Sequence, residues 1–260
     1  MITCDERNNR ILGSNPNIIN SKIVFKGSNN ILFCEDNVTL KNSNLKFSGS
    51  DSIVYLSSNK NNYFLNIDIY NKSNFFMDEN IYMDGNLNVV LSEQKNLIIG
   101  KQCLFSFGIW MRLSDAHLIY DSATKKRTNY SKSIYIGDHV WVGQNSIILK
   151  GTQIGSGSII GAMSLVSGSS ICSNSVWGGN PAKEIKKDIF FLDNCVHRYT
   201  DKEIEQTMIY DNDKFVYENK GNVKKFNKIE EDILKLETMQ EKLDYLVCLR
   251  NIKDKNRFYI

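Results

Sequence analysis

Residues 136–182 read IGDHVWVGQNSIILKGTQIGSGSIIGAMSLVSGSSICSNSVWGGNPA, and within them an aliphatic or small residue returns at every sixth position. The set is Ile136, Val142, Ile148, Ile154, Ile160, Val166, Cys172 and Gly178. Four places after each runs a smaller set: Val140, Ser146, Thr152, Ser158, Ser164, Ser170, Val176 and Ala182. A helix repeats at 3.6 residues and a strand at 2, so neither accounts for a step of six. The step fits a coil of three short faces, each placing one side chain on the axis and turning its corner at small residues that tolerate unusual φ/ψ. A Gly/Ser-rich linker carries no aliphatic residue in fixed phase and does not fit.

A longer period precedes it. Ile23, Leu45, Ile67, Val89 and Met111 stand 22 apart, and so do Phe25, Phe47, Ile69, Leu91 and Leu113. Ile31, Ile53, Phe75, Leu97 and Ile119 form a third column, with Asn, Ser, Asp or Lys just before most of its members. Three columns in phase predict about five wider coils stacked on the same axis, with Asn in left-handed corners and in side-chain ladders between coils. The fold class that follows is an all-β solenoid: a parallel β-helix with an irregular, wider N-terminal part and a helical C-terminal appendage. The expected divisions are a loose lead-in at 1–18, wide coils at 19–119, a protruding basic loop at 120–133, hexapeptide coils at 134–183 and a helical region at 184–260. In that last region Thr200–Glu203 has the form of a capping box. Asn227–Glu230 is read as a second one, opening an amphipathic helix with Ile229, Ile233, Leu236, Leu243 and Leu246 on its stripe. Whether that stripe meets the coil or another subunit stays open at this level.

The 260 residues carry a net charge of +3, so bulk charge gives no reason to expect a nucleic-acid partner. Six scattered cysteines, without a CxxC pair and with Cys172 in the axial set, read as reduced, core-filling thiols in a cytoplasmic protein. No metal is expected. No secretory leader and no run of eighteen apolar residues is visible, so direct membrane insertion is not expected.

A parallel coil has no chemistry of its own, so function has to come from what its outer faces carry. Of three histidines, His117 stands in Ser114-Asp115-Ala116-His117, just before a loop bearing Lys125, Lys126, Arg127 and Lys132. Residues two apart in an extended segment share a side, so Asp115 and His117 can face one cleft, and a carboxylate near an imidazole raises its basicity. A lone surface histidine is as readily structural. His139 reads as a turn residue and His197 as structural.

Ser-Asp-x-His, a loop, Ile-Gly-Asp-His-Val-Trp-Val-Gly at 136–143 and the closing Gly-Asn-Pro-Ala-Lys at 179–183 together resemble the left-handed β-helix O-acetyltransferases. Galactoside, maltose and capsular-polysaccharide enzymes belong to that family, and the Asn-rich wide coils and helical tail are similar to its capsular polysialic acid branch. The motifs cover about residues 111–190. The resemblance implies left-handed coils, acetyl-CoA as co-substrate and direct transfer to a sialic acid hydroxyl of a capsular polysaccharide, with His117 as general base. It implies that Trp141 lines the site beside the thioester and that Asp115 either orients His117 or meets the acceptor. Gly143, Gln144, Gly161, Ala162 and Ser167 match the wall for the pantetheine arm, and Lys183 and Lys186 match cations near the adenosine phosphates, where the family often has Arg. A homotrimer with the channel between subunits is implied, in the cytoplasm beside the capsule-synthesis machinery at the inner face of the membrane. The basic loop is expected to border the acceptor groove by local field. An O-acetyltransferase for a small sugar or antibiotic, and a non-catalytic sugar-binding scaffold, are the competing readings.

Overall fold

The six-residue step is built as a short strand followed by a corner. In the computed structural model, which describes residues 3–260, Ile134–Ile136, Trp141–Val142 and Ile147–Leu149 are strands, and the next coil repeats them as Gln153–Ile154, Ile159–Ile160 and Leu165–Ser167. Each pairs in parallel with the strand 18 residues on: Tyr135 with Gln153, Trp141 with Ile159, Ile147 with Leu165. Three faces result, of nine, six and seven strands, here called first, second and third in the order each coil visits them. The molecule is a left-handed parallel β-helix, wider at its N-terminal end and carrying helices at its C-terminal end. Ile136, Val142, Ile148, Ile154, Ile160 and Val166 fill the axis at no more than 1% exposure. Burial of that kind contributes about 1.5–3 kcal/mol per side chain.

The step shortens after Val166. Ile154 pairs with Ile171 and Ile160 with Trp177, a spacing of 17, so Ile171 and Trp177 take the axial places read from the sequence as Cys172 and Gly178. One corner residue fewer brings the larger apolar side chains inside, and Cys172 turns outward. Core filling by cysteine holds only for Cys34 and Cys103; Cys4, Cys172, Cys195 and Cys248 are exposed.

In the wide coils the first column is realised pair by pair, from Ile23–Leu45 to Val89–Met111. The third column slips. Ile53 stands opposite Asn74, so Ile31 and Ile53 face outward while Phe75 and Leu97 lie on the axis. Ile119 has left the coil altogether and is half exposed. Arg10–Gly13, expected to be loose, pairs in parallel with Ile31–Cys34, and Asn17–Ile19 pairs with Thr39–Lys41. Its asparagines are structural: Asn8, Asn29 and Asp51 all adopt positive φ at one corner, and each amide donates to the next coil, at 2.9 and 2.7 Å. Met1 and Ile2 of the expected lead-in lie outside the described residues.

Helix α1 spans Asp201–Gln206 behind the Thr200–Glu203 capping box. The single amphipathic helix read from Asn227 is two: α2, Phe226–Leu234, and α3, Met239–Asn251. The N-cap of α2 is Lys225, and the second capping box is Thr238–Glu241, which restarts the helix after a break at residues 235–238. Ile229, Ile233, Leu243 and Leu246 are buried against Ile31, Ile53, Tyr55, Phe76, Ile98 and Tyr135, so the stripe packs on the first face of the coil. Beyond α3, the fully buried Arg257 guanidinium donates to Asp138 at 2.9 and 2.7 Å and to Asp78 at 2.5 Å, and to the carbonyls of Leu249 and Ile252. Among the described residues no helix is long and apolar enough to cross a membrane.

Candidate active site

The largest departure from the period is in the coil that links the wide and narrow parts. Leu97 pairs with Ile134, Leu104 with Trp141 and Arg112 with Leu149, a step of 37 where the preceding coil takes 22 and the following one 18. The excess is thrown out at the corner between the third and first faces, and it carries Asp115, His117 and the basic residues.

His117 is exposed, and what fixes it is backbone. The amide of Asn129, a residue only 8% exposed, donates to the His117 carbonyl at 2.7 Å and to Asp115 Oδ2 at 3.0 Å, while its Oδ1 accepts from Ile119 N at 2.9 Å. Asp115 does not reach the His117 ring. Its carboxylate takes the Lys150 ammonium at 2.5 Å. Lys150 and Asn129 together hold the Asp115 carboxyl below the usual carboxylate range. Of the two roles expected for Asp115, orienting His117 or meeting the acceptor, the contacts give no bond to the imidazole; Asp115 shares Asn129 with the His117 backbone.

The loop's cations divide. Arg127 is half-buried, pairs with Glu93 at 2.8 Å and lies over the Tyr130 ring at 5.1 Å. Glu93 also accepts from Ser131, and that bond together with Arg127 keeps its carboxyl low. Arg127 thus ties the loop to the wide coils instead of facing an acceptor. Lys125, Lys126 and Lys132 are exposed, Lys125 at a positive-φ turn and Lys132 with its stem beside Gly151. The foot of the loop is held by Glu230 of α2, which accepts from Ser133 Oγ at 2.6 Å, from Asn96 Nδ2 at 2.9 Å and from Tyr135.

Trp141 stands on the second face, 40% exposed, with Phe191 of the C-terminal segment tilted against it at 5.9 Å between centroids. Phe191 in turn stacks on His139, which Phe215 covers from the other side at 3.9 Å; burial pushes this imidazole down from its ordinary value. His139 has positive φ at its corner, as a turn residue should. Gly143, Gln144, Gly161 and Ala162 follow Trp141 and Ile160 at the corner between the second and third faces. A Cβ on Gly143 would stand 2.6 Å from Ala162 N, so coil stacking alone demands that glycine. On Gly161 the nearest atom would be 3.5 Å away, an ordinary contact, so coil stacking does not demand a glycine there. Lys183 and Lys186 extend the second face on the antiparallel strand Ala182–Lys186, both exposed. Ser167 lies at the far end of the third face, on the His117 side.

One chain therefore assembles two separate halves. Trp141, Gly143, Gln144, Gly161, Ala162, Lys183 and Lys186 share the second face and its corner, a small-residue wall ending in cations that suits a long thiol-linked nucleotide. His117, Asp115, Ser167 and the loop lysines share the opposite corner. Asn129 gave no sign in the sequence because a loop outside the period offers no phase to read, and Lys150 and Glu93 because they are outward corner residues of the coils, which the period leaves unspecified. Among the described residues no group of three or more His, Cys, Asp or Glu is placed to hold a metal.

Comparison with known proteins bears on the fold and the kinship of the chain. The bacterial transferase hexapeptide family (six repeats) matches residues 133–168. The polysialic acid O-acetyltransferase of Neisseria meningitidis is 30% identical over 151 residues, 58% of this chain and 60% of that protein. The polysialic acid O-acetyltransferase of Escherichia coli O1:K1 / APEC is 43% identical over 102 residues, 39% of this chain and 33% of that protein. These matches thus span less than two thirds of either relative. The crystal structure of the polySia-specific acetyltransferase NeuO superposes with a TM-score of 0.61 at 29% identity, covering 76% of this chain and 92% of that one. The chain resembles the hexapeptide-repeat O-acetyltransferases, with polysialic acid O-acetyltransferases among its relatives.

Proposed function

We propose, from that kinship, that the chain is an acyltransferase that moves an acetyl group from acetyl-CoA to a hydroxyl of sialic acid in a capsular polysaccharide. The His117 imidazole takes the acceptor hydroxyl proton as the oxygen attacks the thioester carbonyl. The C–S bond then breaks and the departing sulfur collects the proton. No covalent enzyme intermediate is needed. The second-face wall holds the pantetheine arm, Lys183 and Lys186 attract the phosphates, and Lys125, Lys126 and Lys132 draw the polyanion toward the base.

One observation carries the reading: His117 and Trp141, on successive coils, stand on opposite sides of the rod. A triangular coil has the second face across from the corner that bears His117, so one subunit cannot put both groups on one acetyl. Two neighbouring subunits can. The third face supplies an apolar surface for such contact in the outward column Trp110, Ile147 and Leu165, of which the first two are 42% and 38% exposed. The reading requires a homotrimer with three shared sites, acting in the cytoplasm. Thiol release from acetyl-CoA, measured with a sialic acid polymer and with free sialic acid, tests the assignment. Release with the polymer that disappears in His117→Ala is expected, and no release with either acceptor would refute it.

A further inference from the structure

The break between α2 and α3 shapes something besides the appendage. Leu236, Glu237 and Thr238 form one wall of a cleft of about 800 Å³ whose other wall is the corner of the wide coils. Its lining is amide-rich and cationic. Lys72 and Lys242 converge in it with Arg10, against Asp51 and Glu237, three cations to two carboxylates. Burial, and then the Lys72 charge, depress the Lys242 ammonium, while Asp51 pulls it back up, so Lys72 and Asp51 both act on Lys242 across the cleft.

Two buried polar atoms of the lining lack a hydrogen-bond partner among the described residues: Arg10 Nε and Asn74 Oδ1. Asn74 is 2% exposed, and its Nδ2 is committed to Asn96 at 2.7 Å, which leaves an acceptor for a hydroxyl or amide. Orphaned buried groups of this kind cost roughly 1–3 kcal/mol each, a cost that a bound ligand would offset. Gln94 and Gln240 add further amides, and Ile233 and Met239, at the edge of the helix core, add apolar lining. Cations for a carboxylate, amides for hydroxyls and an apolar patch for an N-acetyl methyl suit an acidic, acetylated sugar.

The position fits as well. Glu93 anchors the His117 loop through Arg127 and Ser131, and its neighbour Gln94 lines the cleft. Loop and cleft therefore share the corner between the third and first faces. From strand Ile134–Ile136 to strand Arg10–Gly13 the first face takes five pairing steps, about 24 Å at the usual strand spacing.

We propose that this cleft is a second, non-catalytic site that holds a stretch of a carboxylated polysaccharide at a distance from His117. It rests on the acceptor class given above, and it makes a long chain a better ligand than a short one. The test uses the full-length His117→Ala chain, which can bind without turnover, titrated calorimetrically with long polysialic acid. Lys72→Glu/Lys242→Glu in that background should raise Kd about tenfold, and the milder Lys72→Ser/Lys242→Ser about threefold with thermal unfolding unchanged. An equal Kd for the parent and the Ser variant, or no binding by the parent, overturns the site. Thiol release by the unmodified chain with the same polymer is measured in parallel. Its absence would end the catalytic assignment, while the titration still decides the cleft.

Discussion

At the residue scale the reaction is assigned to one exposed imidazole whose position is set from behind. His117→Ala should lower acetyl transfer by ~10²–10⁴-fold, the usual worth of a general base, and leave thermal unfolding in place because the side chain buries nothing. Asn129 acts differently, since its side chain ties Asp115, the His117 carbonyl, Ile119 N and Arg127 together without reaching the imidazole. Replacing it with Ala frees the segment that bears the base. A fall in kcat on the order of 10–100-fold, with KM for acetyl-CoA unchanged, is expected from misplacement of this kind. An equal loss in kcat and in bound fraction of acetyl-CoA would point instead to general unfolding. His117 was legible in the sequence because it stands in a motif. Asn129 was not, since its role depends on a hairpin turn of the loop that no periodicity announces.

At the scale of elements, the two glycines of the second-face corner separate packing from function. Gly143→Ala forces a methyl into Ala162 N and should cost about 1–3 kcal/mol, a drop of several degrees in Tm. Gly161→Ala meets nothing closer than 3.5 Å, so its fold should hold while KM for acetyl-CoA rises. Both read alike as members of a six-residue pattern, and only the distance to the next coil tells them apart. The same limit explains the slips at Ile53 and Val166. A count of residues gives the period, but whether a corner holds one residue more or fewer is decided by which side chain fills the axis better.

Helix α2 is tied to the loop by Glu230, and that tie should be acid-labile. Burial tends to raise this carboxyl, but hydrogen bonds from Ser133, Tyr135 and Asn96 outweigh it and hold it below the usual glutamate range. A depressed folded-state value means that the stabilisation is complete above the ordinary glutamate range and is lost as pH falls through the folded value. Hydrogen exchange in α2 and at Ser133 should therefore speed up in acid before the axial strands yield, and Glu230→Gln should remove most of that pH dependence. Identical acid profiles for the two chains would refute the tie.

Across the whole molecule the C-terminal tail closes on the coil through Arg257, which neutralises Asp78 and Asp138 in the interior. Removing it by Arg257→Ala strands the buried Asp138 and leaves Asp78 to Arg250 alone, at 3.2 Å, and should cost about 3–5 kcal/mol, read as a lower denaturant midpoint. The assembly is the larger question, because the proposed base stands at one corner of the rod and the proposed thioester wall on the opposite face. Stacking such rods side by side through the apolar column of the third face would bring the His117 corner of one to the Trp141 face of the next. Ile147→Asp places a charge in the middle of that column, between Trp110 and Leu165, without touching the axis. Sedimentation should then show a monomer with an intact fold by circular dichroism, and acetyl transfer should vanish with the trimer. Mixing His117→Ala with Trp141→Ala subunits sharpens the test, since mixed trimers place an intact His117 and an intact Trp141 at some shared sites and should regain part of the native rate. A monomeric variant that kept its turnover would mean that the loop folds back over its own second face and that the site is completed within one chain.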